Sequence, residues 1–321
     1  MPVSSPLPPE APPAPTDVSL APALALPEKR SRVRGLTTGF TTGLRAIAAS
    51  AFFFSVMSLL VKLAAEEGIP SMQIVLVRCV VMTACSLALL RHVGVSPLGR
   101  GRATLLLRGT VGATALSLLF FALGRLPLGD ATAIHYTAPL WTTLGAGFFL
   151  NERIGKAISA GIVLSLAGVV LVAKPSVLFG GASLEAWGVA AAVVGSLLSG
   201  ISHVLVRKLR KTDHPVVVVL WLSWVGVALA LPFVAVEGWA APTAYGWALL
   251  IGTGLTTQVA QVLMTRGFHE VEAGRASAVG YLQVVFAFGW SALVFGVLPD
   301  MWTLAGAALI VASTVLIARR S

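Results

Sequence analysis

Charge is what this sequence lacks. Of its 321 residues only 11% are Asp, Glu, Lys or Arg, less than half the roughly 25% of an ordinary soluble domain. A soluble chain of this length needs polar groups over most of its surface, so the shortage excludes that class. Cysteine is nearly absent. Cys79 and Cys85 lie six residues apart in one apolar run, which sets them about 120° apart on a helix and not placed to bridge. Two thiols are also too few for a structural metal site. The patterns GxxxxGK[ST], HExxH, CxxC and GxSxG are missing, which argues against ATP-driven pumping and against an enzyme. No cofactor is expected.

Apolar residues fill the space: they make up 56% of the chain, and mean hydropathy is +0.88. A polytopic membrane protein is the class that remains. Ten runs approach the length of about 20 residues that a bilayer span needs: 43–64, 70–91, 104–123, 129–150, 157–174, 186–207, 216–236, 244–265, 273–296 and 300–318. They are long and lack period-two alternation, so they predict helices rather than barrel strands. Before them, residues 1–42 form a Pro-rich tail and a basic flank expected to be disordered.

Basic residues orient the set. The net charge is +10, and 19 of the 23 Lys and Arg, Arg108 included, fall on one side of the ten spans. By the positive-inside rule that side, with both termini, is cytoplasmic. No compact basic domain exists, so nucleic acid is excluded as a partner. The lipid bilayer is the expected one.

A shift of 145 residues brings the halves into register. Gly129, Ala131, Ala133 and Tyr136 meet Gly274, Ala276, Ala278 and Tyr281, while Lys62 meets Arg207 and Pro70 meets Pro215. Each half holds five helices, an odd number, so the second copy crosses in the opposite sense. The expected fold is all-α, with ten transmembrane helices in two inverted five-helix repeats at 43–174 and 186–319, joined by a loop at 175–185. Inverted halves suit a carrier whose central site opens alternately to each face.

Several stretches resemble the drug/metabolite transporter superfamily in its EamA branch. They are AFFFSVMSLLVKLA ending near Lys62, Pro70 with Arg78, LPLGDATAIHYTAPLW, FFLNERIG and GIVLSLAGVVLVA. The resemblance covers roughly residues 43–319. It implies a cell inner-membrane permease, often an exporter of amino acids or metabolites, with a cavity between the halves. The second half departs from the pattern, because Val297 stands where the first has Glu152 and the nearest acid is Asp300.

Polar groups within apolar runs are the candidate site. Arg78 lies about 12 Å into the second helix, where an unpaired charge is costly. It either binds an anionic or zwitterionic solute or braces neighbouring helices. His135 and Tyr136 precede Pro139 and Trp141, and Pro139 removes a hydrogen bond to the His135 carbonyl. Tyr281 is the repeat mate of Tyr136 and a candidate for stacking on solute. Gln258 and Gln261 share one helix face, and together with Gln283 and His203 they suggest a polar chamber. Glu152 and Arg153 close the fourth helix, as a cap for the next helix or as an inner gate. Trp187, Trp239, Trp247 and Trp302 fall at outer ends as interface anchors. The sequence therefore predicts a secondary transporter moving a small metabolite, an amino acid or amphipathic compound, out of the cytoplasm. Protons or a counter-solute would drive a monomer or homodimer. Uptake or nucleotide-sugar exchange is the alternative, and a non-transport assembly protein the rival of another class.

Overall fold

The computed structural model describes residues 28–123, 125–126, 131, 134–152, 155–173, 185–296 and 300–319. Regular structure among them is helical throughout. The helices are α1 (Glu28–Glu66), α2 (Ser71–Val93), α3 (Arg102–Leu123), α4 (Ala138–Leu150), α5 (Lys156–Ala173), α6 (Ala186–Leu209), α7 (Pro215–Glu237), α8 (Ala244–Glu270), α9 (Ala273–Gly280), α10 (Leu282–Phe295) and α11 (Met301–Arg319). The basic flank expected to be disordered is helical from Glu28 onward. A compact unit runs from Gly39 to Ser321.

By length and composition six helical segments among the described residues can cross a membrane: 42–66, 71–93, 186–209, 215–236, 244–270 and 273–295. Shorter apolar helices occupy 138–150, 156–171 and 301–313. The chain is a multi-pass membrane protein. Large apolar side chains cover its outside, among them Phe148, Phe149, Val163, Leu293 and Met301, which only a hydrocarbon surround makes tolerable. Trp187, Trp239, Trp247 and Trp302 are exposed at helix ends, as interface anchors require. Both cysteines are free.

Two expected spans are broken. The fourth gives way to a turn at Tyr136–Thr137 before α4 starts, with Pro139 in its first turn. Pro fits there because first-turn amides have no intrahelical acceptor. The ninth breaks at Tyr281, between α9 and α10. The breaks fall on residues 145 apart in sequence.

Loop contacts fix which helix ends lie together. Asp213, between α6 and α7, accepts the amides of Arg100 (2.6 Å) and Gly101 (3.0 Å) before α3. At the opposite face Gln73 donates to the Ala240 carbonyl (2.8 Å), Thr243 donates to Glu67 (3.2 Å) and Arg125 pairs with Glu185 (3.2 Å). The first of these is called the basic face below, from its arginines and lysines. Helices α2 and α7 run antiparallel, with Thr83 donating to Ser223 (2.9 Å) and Cys79 against Gly226. So do α5 and α11, where Ser165 donates to Ser313 (2.7 Å) and Gly168 packs on Gly306 and Ile310.

Packing is unequal at the two faces. One large apolar cluster gathers the basic-face ends of α1, α2, α3, α4, α6, α7, α8 and α9, from Leu44 and Ile47 through Leu90, Leu105, Val206 and Leu209 to Phe268 and Val271. Toward the opposite face the core divides. Ala64, Ile69 and Leu249 join α1, α2 and α8, whereas Ala122, Leu126 and Ala192 join α3 and α6. The bundle is knit together at one end and parted at the other.

Gly168 tests the tightest seam. A Cβ there would sit 2.6 Å from the Gly306 carbonyl oxygen, which is backbone and cannot swing aside. Gly168→Val is expected to destabilise the detergent-solubilised protein by about 1–3 kcal/mol, read as a lowered Tm by intrinsic fluorescence. An unchanged Tm would contradict this packing.

Candidate functional site

The interior carries polar side chains in several groups. The break at Tyr136 frees a carbonyl, and the Tyr281 hydroxyl donates to it at 2.6 Å. The two rings lie 5.8 Å apart, and Tyr281 is fully buried against Val169, Val284 and Ile310. A tyrosine hydroxyl thus already occupies the Tyr136 carbonyl, next in sequence to the His135 carbonyl that Pro139 leaves without its helical donor. His135 meets Tyr136 edge-on at 6.0 Å, and its Nδ1 is buried without a partner.

Trp141 donates its indole N–H to Ser196 (3.2 Å), and its Cβ closes on Gly200. Gly200 has no side chain to prevent that approach. Across the bundle Trp290 donates to Ser55 (3.0 Å). Phe52 packs beside it, 5.5 Å from Phe286 and 5.9 Å from Trp290. The sequence does not single out these aromatics on α1 and α10 as site residues, because an apolar run hides which Phe faces inward. Arg78 is half-buried in α2. Its Nη1 lies 4.0 Å from the Met57 sulfur, and its Nε is buried without a partner.

The glutamines separate. Gln258 is buried and satisfied by Ser86, to which its Nε2 donates at 2.9 Å. It joins α8 to α2. Gln261 keeps an unpartnered buried Oε1. Gln283 is half-buried in α10. Arg153 lies outside the described residues.

Toward the basic face the sorting of charges needs correction. Arg108, counted with the loop charges, is only 3% exposed and lies about 9 Å inside α3. His203 stacks on Phe268 (5.0 Å) and lies 3.4 Å from the Thr142 hydroxyl. Below them is a knot. Arg207 is 5% exposed; its Nε donates to Glu152 Oε1 (2.7 Å), and its Nη1 donates to the carbonyls of Phe268 (2.9 Å) and His269 (2.8 Å). Glu152 Oε2 accepts the Ala273 amide at 2.9 Å. The carboxylate therefore caps α9 rather than the helix that follows it in sequence. One ion pair ties the ends of α4, α6 and α8 to the start of α9.

The profile of the EamA-like transporter family matches residues 41–174 and again residues 186–319, and both ends of the second match lie 145 residues after those of the first. The chain belongs to the EamA-like transporter family. That family lies within the drug/metabolite transporter superfamily, and the chain is a permease rather than an enzyme. It is 31% identical over 276 residues to a pseudopaline exporter of Pseudomonas aeruginosa, covering 86% of this chain and 95% of that one. It is also 31% identical to mouse solute carrier family 35 member G1, over 83% of this chain and 75% of that one. A riboflavin transporter of Vibrio cholerae is 28% identical over 78% of this chain and 84% of its own. A crystal structure superposes with a TM-score of 0.72 at 21% identity, covering 85% of this chain and 98% of that one. This last likeness concerns the fold alone.

Glu152→Ala strands the Arg207 guanidinium among buried groups and is expected to cost about 3–5 kcal/mol. Glu152→Ala combined with Arg207→Met removes the stranded charge and should recover most of the lost Tm. Single and double variants of equal stability would show that the pair does not hold the basic face.

Proposed function

We propose that this chain is a secondary carrier that moves a small metabolite out of the cytoplasm by alternating access between two inverted repeats. The observation that carries the reading is the unequal closure. Eight helix ends share one apolar cluster and the Arg207–Glu152 knot at the basic face, while the core parts toward the opposite face. With the basic face cytoplasmic, this is an outward-facing state, its polar and aromatic interior sealed from the cytosol. Two helix pairs related by the 145-residue shift, α2 with α7 and α5 with α11, run antiparallel. That supports copies inserted in opposite senses.

Relatives named as exporter and transporter support carriage of a small solute. Arg78 and His135, each with a buried nitrogen lacking a partner among the described residues, are the sequence candidates best suited to meet it, with Trp141 held in place by Ser196. Tyr281 and Gln258 are engaged with the protein itself and serve the frame of the site. Exchange against protons or a counter-solute would supply the drive.

Reconstituted protein loaded with unlabelled amino acids or other small metabolites should show saturable counterflow of the matching radiolabelled solute. Arg78→Ala should lower that flux at least tenfold while the protein stays monodisperse. Absence of counterflow for every solute would refute the carrier reading. Orientation has its own measurement. In a background lacking Cys79 and Cys85, Ser96→Cys should react with an impermeant maleimide only after the membrane is opened, and Ala241→Cys should react in intact cells.

A further inference from the structure

Arg108 lacks what a buried guanidinium needs. It sits where α3 meets α6 and α7, 3% exposed, and no hydrogen bond or ion pair engages it among the described residues. Its Nε is shut off from solvent without an acceptor. Arg207 and Arg125, by contrast, each have a carboxylate. A cation left so costs several kcal/mol, so a fold that keeps one has a use for it.

The surroundings are arranged for an anion. Gly112, one turn along α3, has no side chain; a Cβ there would come 2.5 Å from Arg108 Nη1 and 3.0 Å from the Ser202 hydroxyl. The glycine thus lets the guanidinium close against the α3 backbone, with the Ser202 hydroxyl beside it. Ser202 is itself buried. His203 follows it on α6, within electrostatic range of both Arg108 and His135, and the indole N–H of Trp221 on α7 is a further buried donor without a partner. No carboxylate joins them among the described residues.

We propose that Arg108, seated over Gly112 with the Ser202 hydroxyl beside it, binds the carboxylate of the transported solute. This rests on the carrier reading and names its substrate class. The charge count favours a carboxylate over a phosphate: one permanent cation neutralises a monoanion, whereas a phosphate dianion would keep a buried negative charge. A guanidinium also meets the two oxygens of a planar carboxylate side by side. The site lies about 9 Å from the basic-face end of α3, just above the Arg207 knot. A bound carboxylate would therefore neutralise the interior at the level that must rearrange for release.

The test uses purified full-length protein at constant chloride, with benzoate as probe and benzyl alcohol and inorganic phosphate as comparisons. Benzoate should raise Tm in a saturable way, and the other two should not. Arg108→Gln should abolish the shift, Gly112→Ala should weaken benzoate binding at least tenfold, and Arg102→Gln, at the exposed start of α3, should leave it unchanged. Arg108→Lys keeps the charge without the fork and should bind weakly. If Arg108→Gln does not fold, Gly112→Ala and Arg108→Lys decide, and wild-type affinity in both overturns the proposal. So does an Arg108→Gln protein with lowered Tm and unchanged benzoate affinity, the mark of a merely bracing arginine. Phosphate stabilising as well as benzoate overturns the carboxylate assignment. Counterflow of a neutral solute that benzoate neither stabilises nor inhibits removes the inference and leaves the carrier standing. Arg108-dependent benzoate binding without counterflow of any solute removes the carrier and leaves the site.

Discussion

The ion pair between Arg207 and Glu152 is the constraint on which the closed end depends. A guanidinium buried to 5% exposure needs more than one partner, and the chain supplies them from different helices. The carboxylate comes from the end of α4, and the two carbonyls come from the last turn of α8. The carboxylate's other oxygen then takes the first amide of α9, where an anion suits the positive end of the helix dipole. Apolar packing alone would hold these ends loosely and without preference for register. The polar knot fixes which ends meet, and the large cluster around it excludes water.

Closure at that face has a consequence for movement. In the carrier proposed above this face must open when the other closes, so the contacts that seal it must be reversible at modest cost. A buried ion pair meets that condition better than the same area of interlocked hydrocarbon. Its attraction is offset by the desolvation of both partners, leaving the net small, and water entering along the opening path rehydrates both ions at once. The carbonyls of Phe268 and His269 lie near the frayed end of a helix and can take water as replacement acceptors.

Much of the frame was legible in the sequence, because the bilayer enforces it. Apolar runs of span length follow from insertion, which acts on local composition, and the 145-residue register recurs in the two stretches that match the family. The site was less legible. Arg108 stands six residues after Arg102 at the edge of an apolar run, and edge position made it look like a loop charge. Only the three-helix contact distinguishes a buried arginine from one that reaches the headgroups. Tyr136 and Tyr281 were paired correctly as repeat mates, but their use is a backbone hydrogen bond across the pair rather than open stacking surface. Glu152 was seen as a cap, but the helix it caps is 121 residues away in sequence. Periodicity carries no information about such distant partners.

The same repeat that relates the halves also shows where they must differ. Lys62 is the mate of Arg207, yet it is exposed and lies over the ring of Phe295 at 3.6 Å. The mate of Glu152 is Val297, which offers no charge. The opposite face therefore lacks the carboxylate that would rebuild the knot by symmetry, and any closure there has to rest on other contacts, such as the aromatic group of Phe52, Phe286 and Trp290 with the Lys62 cation on Phe295. A cation on an aromatic face is worth about 0.5–1 kcal/mol when exposed and joins two residues, whereas the knot at the basic face ties three helix ends to the start of a fourth. The two closures then differ in construction. Under the carrier reading proposed above, occupation of the interior has to favour the state open at the basic face over the shut one before the solute can leave on that side.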